Sequence, residues 1–278
     1  MLKNTQTTGL NRDTIDKYYT NQDTVTNCIK KIKQHTQINE DDLFIEPSAG
    51  NGSFIPKLLS LSSNCLFYDI EPENSSIMKQ DYLLLDTDNI TKNYNKVHVV
   101  GNPPFGRQSS LAIKFIKKSS EFCDYISFIL PKSFKKKSMQ KHFPLDFHLL
   151  FEEDIQDDGF LVNDTVYNVP CVFQIWEKRN VKREPEVKVL PIGFSFVKKN
   201  ENPDIAFRRV GVYAGRIYND DISNKSEQSH YFIKFDKKIS ETVHQQLNTI
   251  SFDKKNDTVG PRSISKQELI QIYNTITF

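Results

Sequence analysis

The chain has 278 residues, of which 37% are hydrophobic and 26% are charged, and its formal net charge is only +2. This balance predicts a packed globular protein and excludes an intrinsically disordered one. No apolar run approaches the roughly 20 residues of a membrane-spanning helix, and residues 1–14 lack the apolar core of a signal peptide. The four cysteines and six histidines show no metal-ligand spacing. We therefore expect an intracellular, soluble protein without a metal.

Strand-like and helix-like segments alternate through the first part of the chain. In chain order, we predict a helix over 22–36 with a cap at Thr20 and Asp23, a strand at 43–45, a helix with Pro56 in its first turn, a strand at 65–70, a short element around Asp81, a strand at 97–100, a helix over 109–122 and strands at 125–131, 148–151 and 170–176. This alternation predicts an α/β fold with a Rossmann-like, doubly wound sheet over residues 1–180.

The composition changes after residue 180, where the chain reads NVKREPEVKVLP. Short strand-like runs follow (GFSFV, AFRRVGVYAG and HYFIKF), with predicted helices at 237–248 and 265–274. We predict a small α+β appendage over residues 181–278. It could contact substrate, but the alternative that its basic and aromatic residues are ordinary surface residues is favoured, and its role does not follow from the sequence.

The stretch EPSAGNGSF, residues 46–54, follows the first predicted strand directly. Ligands bind at the carboxyl ends of strands in open α/β sheets, and Gly50 and Gly52 allow a ligand to approach the backbone closely. A dinucleotide-binding turn would have a third small residue at the position of Ile55. The turn therefore fits a nucleoside without a pyrophosphate, and Asp69 at the end of the next strand could accept hydrogen bonds from a ribose. A purely structural glycine turn is the alternative.

A second stretch, GNPPFG at 101–106, follows another apolar strand. The two prolines fix the backbone so that the Asn102 amide and the Pro103 carbonyl do not join a helix ladder. Together these two acceptors could bind both N–H donors of an exocyclic amine. Phe105 offers a flat surface on which a base could stack.

These two motifs, in this order, resemble the class I S-adenosylmethionine-dependent methyltransferases of the adenine-N6 type. The resemblance covers about residues 13–180 and implies a mostly parallel seven-stranded sheet with S-adenosyl-L-methionine as cofactor. It implies that the tetrad Asn102, Pro103, Pro104 and Phe105 is catalytic. It further implies a cofactor site formed by Tyr18, Tyr19, Thr20, Glu46, Pro47, Ala49, Gly50, Gly52, Asp69, Asp81 and Asn102. The chain departs from the family in lacking a proline after Thr20 and a long recognition domain.

Basic residues surround the second motif, with nine lysines and arginines between residues 101 and 142, whereas residues 152–164 carry six acids and no base. We predict that Arg107, Lys132, Lys135, Lys136 and Lys137 bind nucleic-acid phosphates, with DNA favoured and RNA possible. The alternative is that these lysines only solvate helix faces. A target base inside a duplex would have to be flipped out of the stack.

The predicted reaction is direct transfer of a methyl group to adenine N6, without a covalent enzyme intermediate. Cytosine-C5 enzymes need a cysteine nucleophile, which the tetrad lacks, and Cys171 lies in an apolar strand typical of a buried cysteine. The alternatives are an RNA adenine, guanine-N2 or glutamine-N5 acceptor. An inactive scaffold subunit is a further alternative of a different class. The recognition sequence and the oligomeric state do not follow from the sequence.

Overall fold

The computed structural model describes residues 19–162 and 165–276. Contacts between Cα atoms divide the chain into two compact units, with the division between Pro185 and Glu186. Within the described ranges, every helix is too short or too polar to be a transmembrane span.

The first unit is built around one large sheet. Its strands and helices, in chain order, are β1 (Tyr19–Thr20), α1 (Gln22–His35), β2 (Leu43–Glu46), α2 (Ile55–Leu59), β3 (Cys65–Asp69), β4 (Met78–Lys79), β5 (Val97–Gly101), α3 (Ser110–Ser120), β6 (Tyr125–Pro131), α4 (Lys137–Gln140), β7 (Phe147–Asp154), β8 (Phe160–Val162), β9 (Thr165–Tyr167) and β10 (Cys171–Lys178).

Seven strands form this sheet in the order β4-β3-β2-β5-β6-β10-β7. The pairs from β4 to β6 are parallel, and β10 runs antiparallel to both β6 and β7. The first five strands follow the Rossmann order, in which the direction of winding reverses between β2 and β5. The predicted Rossmann-like, mostly parallel seven-stranded sheet is confirmed.

Helices cover both faces of the sheet, as a doubly wound fold requires. Alternate residues of β2 point to opposite faces. Leu43 and Ile45 belong to the core that contains Ala112 of α3, whereas Phe44 belongs to the core that contains Ile29 of α1. Burial on both faces explains why the central strands are almost continuously apolar.

A second, three-stranded sheet has the order β1-β8-β9, and the sequence did not predict it. Strand β1 pairs antiparallel with β8, which places Thr20 opposite Phe160. The cap of α1 also differs from the prediction. Asn21 is the N-cap and its side chain accepts a hydrogen bond from the Thr24 N–H, because Thr20 is committed to the strand.

The second unit is an α+β unit with a four-stranded antiparallel sheet of order β11-β14-β12-β13. Its elements, in chain order, are β11 (Phe194–Val197), β12 (Ile205–Arg208), β13 (Ile217–Tyr218), β14 (His230–Phe235), α5 (Glu241–Thr249) and α6 (Lys266–Tyr273). Phe207 of β12, Leu247 of α5 and Leu269 of α6 lie in one buried core.

Candidate active site

A cavity of about 260 Å³ lies at the carboxyl ends of β2, β3 and β5. The Rossmann order reverses here, so the loops that leave neighbouring strands diverge and leave a crevice between them. The cavity is lined by Tyr19, Thr20, Glu46, Pro47, Ser48, Ala49, Gly50, Asn51, Ser53, Phe54, Asp69, Ile70, Glu71, Asp81, Tyr82, Leu83, Asn102, Pro104, Leu111 and Phe115.

The glycine turn after β2 needs both of its glycines. Gly50 has φ +53° and Gly52 has φ +84°, which are left-handed conformations that other residues rarely adopt. A Cβ on Gly52 would lie 2.7 Å from Cδ1 of Ile55, whereas one on Gly50 would lie 3.5 Å from the Tyr19 ring. The absence of a side chain at Gly50 therefore keeps the backbone open beneath Tyr19.

Asp69 ties the end of β3 to the glycine turn. Its Oδ2 accepts a hydrogen bond from the Gly50 N–H at 2.8 Å, and its Oδ1 accepts one from the Glu71 N–H at 2.8 Å. A carboxylate oxygen can accept a second hydrogen bond, so these contacts still leave capacity for a ligand hydroxyl. Asp81 is fixed in a similar way, since its Oδ1 accepts from the Leu83 N–H at 2.9 Å.

Glu46, the last residue of β2, is a buried carboxyl group with an unsatisfied oxygen. Its side chain is 2% exposed, and Oε2 has no hydrogen-bond partner among the described residues. Burial, reinforced by the charge of Asp69, raises the pKa of Glu46 well above its usual range. A buried acceptor without a partner is costly, so this atom points to a ligand that donates a hydrogen bond.

Asn102 joins the two motifs. Its Nδ2 donates to Oγ1 of Thr20 at 3.3 Å, and its backbone carbonyl accepts a hydrogen bond from Ser48 Oγ at 3.2 Å. Gly101 precedes it with φ +153°, and a Cβ there would lie 3.3 Å from Cγ of Glu46. The tetrad therefore sits directly against the glycine turn, with its amide oriented by β1.

The other tetrad residues differ in their surroundings. Pro104 lines the cavity, while Pro103 is buried. Phe105 is half-buried and packs against both cores of the sheet. Beyond it, Gln108 and Ser109 have φ values of +54° and +62°, a strained backbone of the kind that clusters at functional sites.

The predicted phosphate-binding residues divide into two groups. Lys132 and Lys135 both form ion pairs with Asp154 at 2.7 Å, and Lys136 is only 8% exposed. Burial acts to raise the pKa of Asp154, but the hydrogen bonds from its two lysines lower it overall. Arg107 and Lys137 are exposed. A role in binding nucleic acid stays a prediction, and it fits these two residues most directly.

Sequence reasoning missed most of the apolar cavity wall. Leu111 and Phe115 line the cavity from α3, and Phe54 and Leu83 line it from the loops. The shared face of Leu111 and Phe115 could be read from the sequence, but not that it faces a ligand site. Tyr18, predicted to bind cofactor, lies outside the described residues.

The cysteines do not line this cavity. Cys171 is buried, and burial raises the pKa of its thiol. Within 19–162 and 165–276, no group of three or more His, Cys, Asp or Glu side chains could hold a metal ion.

No protein-family profile matches the chain. By sequence, the chain is similar to the ribosomal RNA small subunit methyltransferase A of Francisella tularensis subsp. novicida, with 29% identity over 112 residues. The same protein from Francisella tularensis subsp. tularensis is 28% identical. These matches cover 35% of this chain and 43% of each relative, so the chain spans less than half the length of the curated relatives that it matches.

Two solved structures illustrate the structural likeness. A dimethyladenosine transferase from Plasmodium falciparum has a TM-score of 0.39 and 13% identity, covering 55% of this chain and 62% of the other. A DrdV–DNA complex has a TM-score of 0.40 and 13% identity, covering 58% of this chain and 26% of the other. Likeness at these scores carries no inference about substrate. The sheet order itself is that of the class I S-adenosylmethionine-dependent methyltransferase fold.

Proposed function

We propose that this chain is an S-adenosylmethionine-dependent N-methyltransferase that acts on the N6 amine of adenine in nucleic acid, with DNA as the first candidate substrate. The observation that carries the proposal is the single cavity lined by the glycine turn, Asp69, Asp81 and the tetrad residues Asn102 and Pro104. The glycine turn and the tetrad are far apart in sequence but both line this cavity. Together they offer hydrogen-bond acceptors for a nucleoside cofactor and for the amine that would be methylated.

The cavity fits S-adenosylmethionine on the evidence of its own polar atoms. The buried Oε2 of Glu46 needs a hydrogen-bond donor, which the cofactor's ammonium group would provide. Asp69 retains capacity to accept from ribose hydroxyls, and Asp81 to accept from an adenine amine. The bound cofactor supplies an electrophilic methyl group.

Asn102 positions the amine that is methylated. Because its Nδ2 donates to Thr20, the planar amide presents its acceptor, Oδ1, on the opposite side. An adenine N6 amine that donates to Oδ1 and to the Pro103 carbonyl is held with its nitrogen lone pair available for attack. An amine held in this way would attack the methyl carbon in line with its bond to sulfur. That bond would break as the C–N bond forms, leaving a neutral thioether, and the excess proton of the amine would then be released. Positioning and fixed dipoles supply the catalysis, with no covalent intermediate.

The target base must reach this cavity from outside the stack. A flipped or single-stranded adenine would place its ring beside Phe105, whose half-buried ring is fixed by packing on both cores. Arg107 and Lys137 are exposed cations that would contact the neighbouring phosphates.

RNA adenine is the second candidate substrate, and the names of the curated relatives favour it, since they describe methylation of ribosomal RNA. The guanine-N2 and glutamine-N5 acceptors have no comparable support. The inactive-scaffold alternative predicts no methyl transfer at all.

The test is to incubate the full chain with methyl-labelled S-adenosylmethionine and with DNA, RNA or protein, and to identify the labelled product by mass spectrometry. Asn102→Ala should reduce methyl transfer at least about 100-fold, the scale of one lost preorganised contact, while leaving cofactor affinity within about 3-fold. The matched control, Asn93→Ala, removes an exposed asparagine and should leave the rate unchanged.

Labelled N6-methyladenine from DNA supports the first candidate, and the same nucleoside from RNA alone supports the second. Labelled N5-methylglutamine, or an Asn102→Ala variant that transfers methyl at the parental rate, would overturn the adenine assignment.

A further inference from the structure

Basic residues lie close together at one end of the strands in the sheet of the second unit. Strands β11 and β12 both run antiparallel to β14, so their carboxyl ends lie beside its first residues. Lys198 and Lys199 directly follow β11, Arg209 directly follows β12, and His230 begins β14. Segments that are distant in sequence therefore meet at this end.

An open pocket lies at this end of the strands, and four cations line it. They are Lys198, Lys199, Arg209 and Lys266, and the acid Glu227 also lines the pocket. The salt bridges between described residues involve none of these four cations. Just outside the lining, the Glu201 carboxylate accepts a hydrogen bond from the Lys198 backbone N–H at 2.7 Å. The lining itself carries four cations and one acid, an excess of positive charge that favours an anionic ligand.

Two aromatic side chains help to hold these cations. Nζ of Lys266 lies 4.6 Å from the centre of the Phe196 ring and 5.7 Å from that of Tyr231. The guanidinium of Arg209 lies 5.4 Å from the Tyr231 ring and donates to the Gln228 carbonyl at 2.8 Å. Cation–π contacts of this kind reduce the freedom of long side chains, so the charges are preorganised.

His230 places in the pocket a buried ring nitrogen that lacks a hydrogen-bond partner within the described part of the chain. Its ring lines the pocket and is 5% exposed, and Nε2 has no hydrogen-bond partner among the described residues. Nδ1 lies 3.0 Å from the Ser226 carbonyl, which can only accept, and 3.1 Å from Ser229 Oγ, which can accept or donate. Because only a protonated Nδ1 can hydrogen-bond the carbonyl, we assign the proton to Nδ1. Burial, the largest effect, lowers the pKa of His230, which keeps the ring neutral. The neutral ring leaves Nε2 as an acceptor that needs a donor.

We infer that this pocket binds a segment of single-stranded nucleic acid, with phosphates on the four cations and a sugar hydroxyl or base N–H donating to Nε2 of His230. A nucleotide combines both chemistries, since it carries an anionic phosphate and hydrogen-bond donors within one unit. Inorganic phosphate satisfies only the cations. This inference rests on the proposed nucleic-acid substrate and adds a second contact region for it.

The experiment measures binding of a fluorescent single strand of about 12 nucleotides to the full chain by anisotropy, across a salt series and without cofactor. RNA and DNA of the same sequence are compared. The double variant Lys198→Gln/Lys199→Gln should weaken binding about 10-fold near 0.1 M salt and reduce the slope of log affinity against log salt by about 1.4.

The matched control is Lys237→Gln/Lys238→Gln, an adjacent exposed lysine pair of the same unit that does not line the pocket. It removes the same charge and should leave affinity and slope near the parental values. Equal losses from both double variants would show only a general charge effect and would overturn the inference.

A third variant, His230→Phe, should weaken binding about 5-fold without changing the salt slope, because it removes an acceptor and no charge. Loss on RNA alone identifies the 2′-hydroxyl as the donor, and loss on both strands identifies a donor common to both; either supports the inference. Parental affinity in a folded His230→Phe variant would overturn the role of His230.

The outcome is separable from that of the proposed function. If Asn102→Ala abolishes methyl transfer but the Lys198→Gln/Lys199→Gln variant binds like the parent, only this inference fails. If oligonucleotide binding depends on the pocket but no nucleoside is methylated, only the proposed activity fails.

Discussion

Strand β2 is flanked by two buried acids, and they differ in how well they are satisfied. Asp42, directly before the strand, is fully buried and accepts hydrogen bonds from the Asn39 N–H at 2.9 Å and from Asn95 Nδ2 at 3.2 Å. It also lies 3.3 Å from Nε2 of the buried His98. Glu46, at the other end of the strand, is 2% exposed and leaves Oε2 without a partner among the described residues.

The difference predicts a structural role for Asp42 and a ligand-binding role for Glu46. At the amino end of β2, Asp42 lies 3.3 Å from Nε2 of His98, whose Nδ1 has no hydrogen-bond partner among the described residues. The His98 ring is stacked between Phe44 and Tyr125 with centroids 4.5 and 4.6 Å away. At the carboxyl end, where ligands bind in this class of sheet, the protein leaves a buried acceptor facing a cavity. Burial alone therefore does not identify a functional acid; a carboxyl oxygen that is buried, lacks a partner and lies beside a cavity is the more specific indication.

The largest expected effect is the loss of stability on replacing Asp42. Asp42→Ala would leave several buried donors without an acceptor, at about 1–3 kcal/mol each, so we expect it to lower the free energy of unfolding by about 4 kcal/mol. Urea denaturation followed by circular dichroism would measure this loss. The adjacent exposed Asp41→Ala is the control and should change stability by less than about 0.5 kcal/mol. Similar losses in the two variants would contradict the structural role of Asp42.

The two ends should also respond to pH in opposite directions. Burial lowers the pKa of His98 to about 4 from its ordinary 6.5. Between these two pH values, the unfolded chain binds a proton at His98 and the folded chain does not. Neutral His98 therefore makes its full contribution to the free energy of unfolding above pH 6.5. This contribution decreases as the pH falls toward 4, by at most about 3 kcal/mol. Glu46 has a raised pKa, so its effect is the reverse, and stability rises as its carboxyl group takes up a proton.

Because these effects oppose each other, the parental stability should vary less with pH than either group alone would dictate. Glu46→Gln removes one of them, and its free energy of unfolding should fall more steeply than the parental value between pH 6.5 and pH 4.5. Urea unfolding at several pH values would measure both slopes. Parallel slopes for the two proteins would show that Glu46 does not titrate in an unusual range.

The smallest expected effect is on cofactor binding. Glu46→Gln removes the carboxyl group that would accept a hydrogen bond from the cofactor's ammonium group, so we expect affinity for S-adenosylmethionine to fall about 10-fold at neutral pH, without a loss of stability. Calorimetry measures the affinity. Asn51→Gln, a neutral change in the same cavity lining, is the control and should retain affinity within about 3-fold. Unchanged affinity in Glu46→Gln would remove Glu46 from the cofactor site.

The sequence predicted the large sheet and its two motifs because their signals are local. The run Leu43 to Ile45 is apolar, and a glycine turn follows it within a few residues. Likewise, Val97 to Val100 leads directly into the tetrad. The strands predicted at 148–151 and 170–176 overlap β7 and β10, which pair antiparallel.

The strands β1, β8 and β9 escaped prediction because they have only two or three residues each, too few for a periodic pattern. The basic cluster was harder for another reason. Lys132, Lys135 and Asp154 each belong to a segment of uniform charge, and only the folded sheet shows that these segments meet. Charge patterns along a sequence do not reveal pairing between distant segments.

The pairing of β1 with β8 has a consequence for how the site assembles. It joins segments near opposite ends of the first unit's sequence, and Thr20, which orients the Asn102 amide, lies in that pairing. Closing so long a loop costs entropy that the packed sheet must already offset, so this contact should form late in folding. A chain whose large sheet has formed but whose β1 is still unpaired would be compact and yet unable to hold Asn102 in its final orientation. The appearance of activity during refolding would then lag behind the appearance of secondary structure.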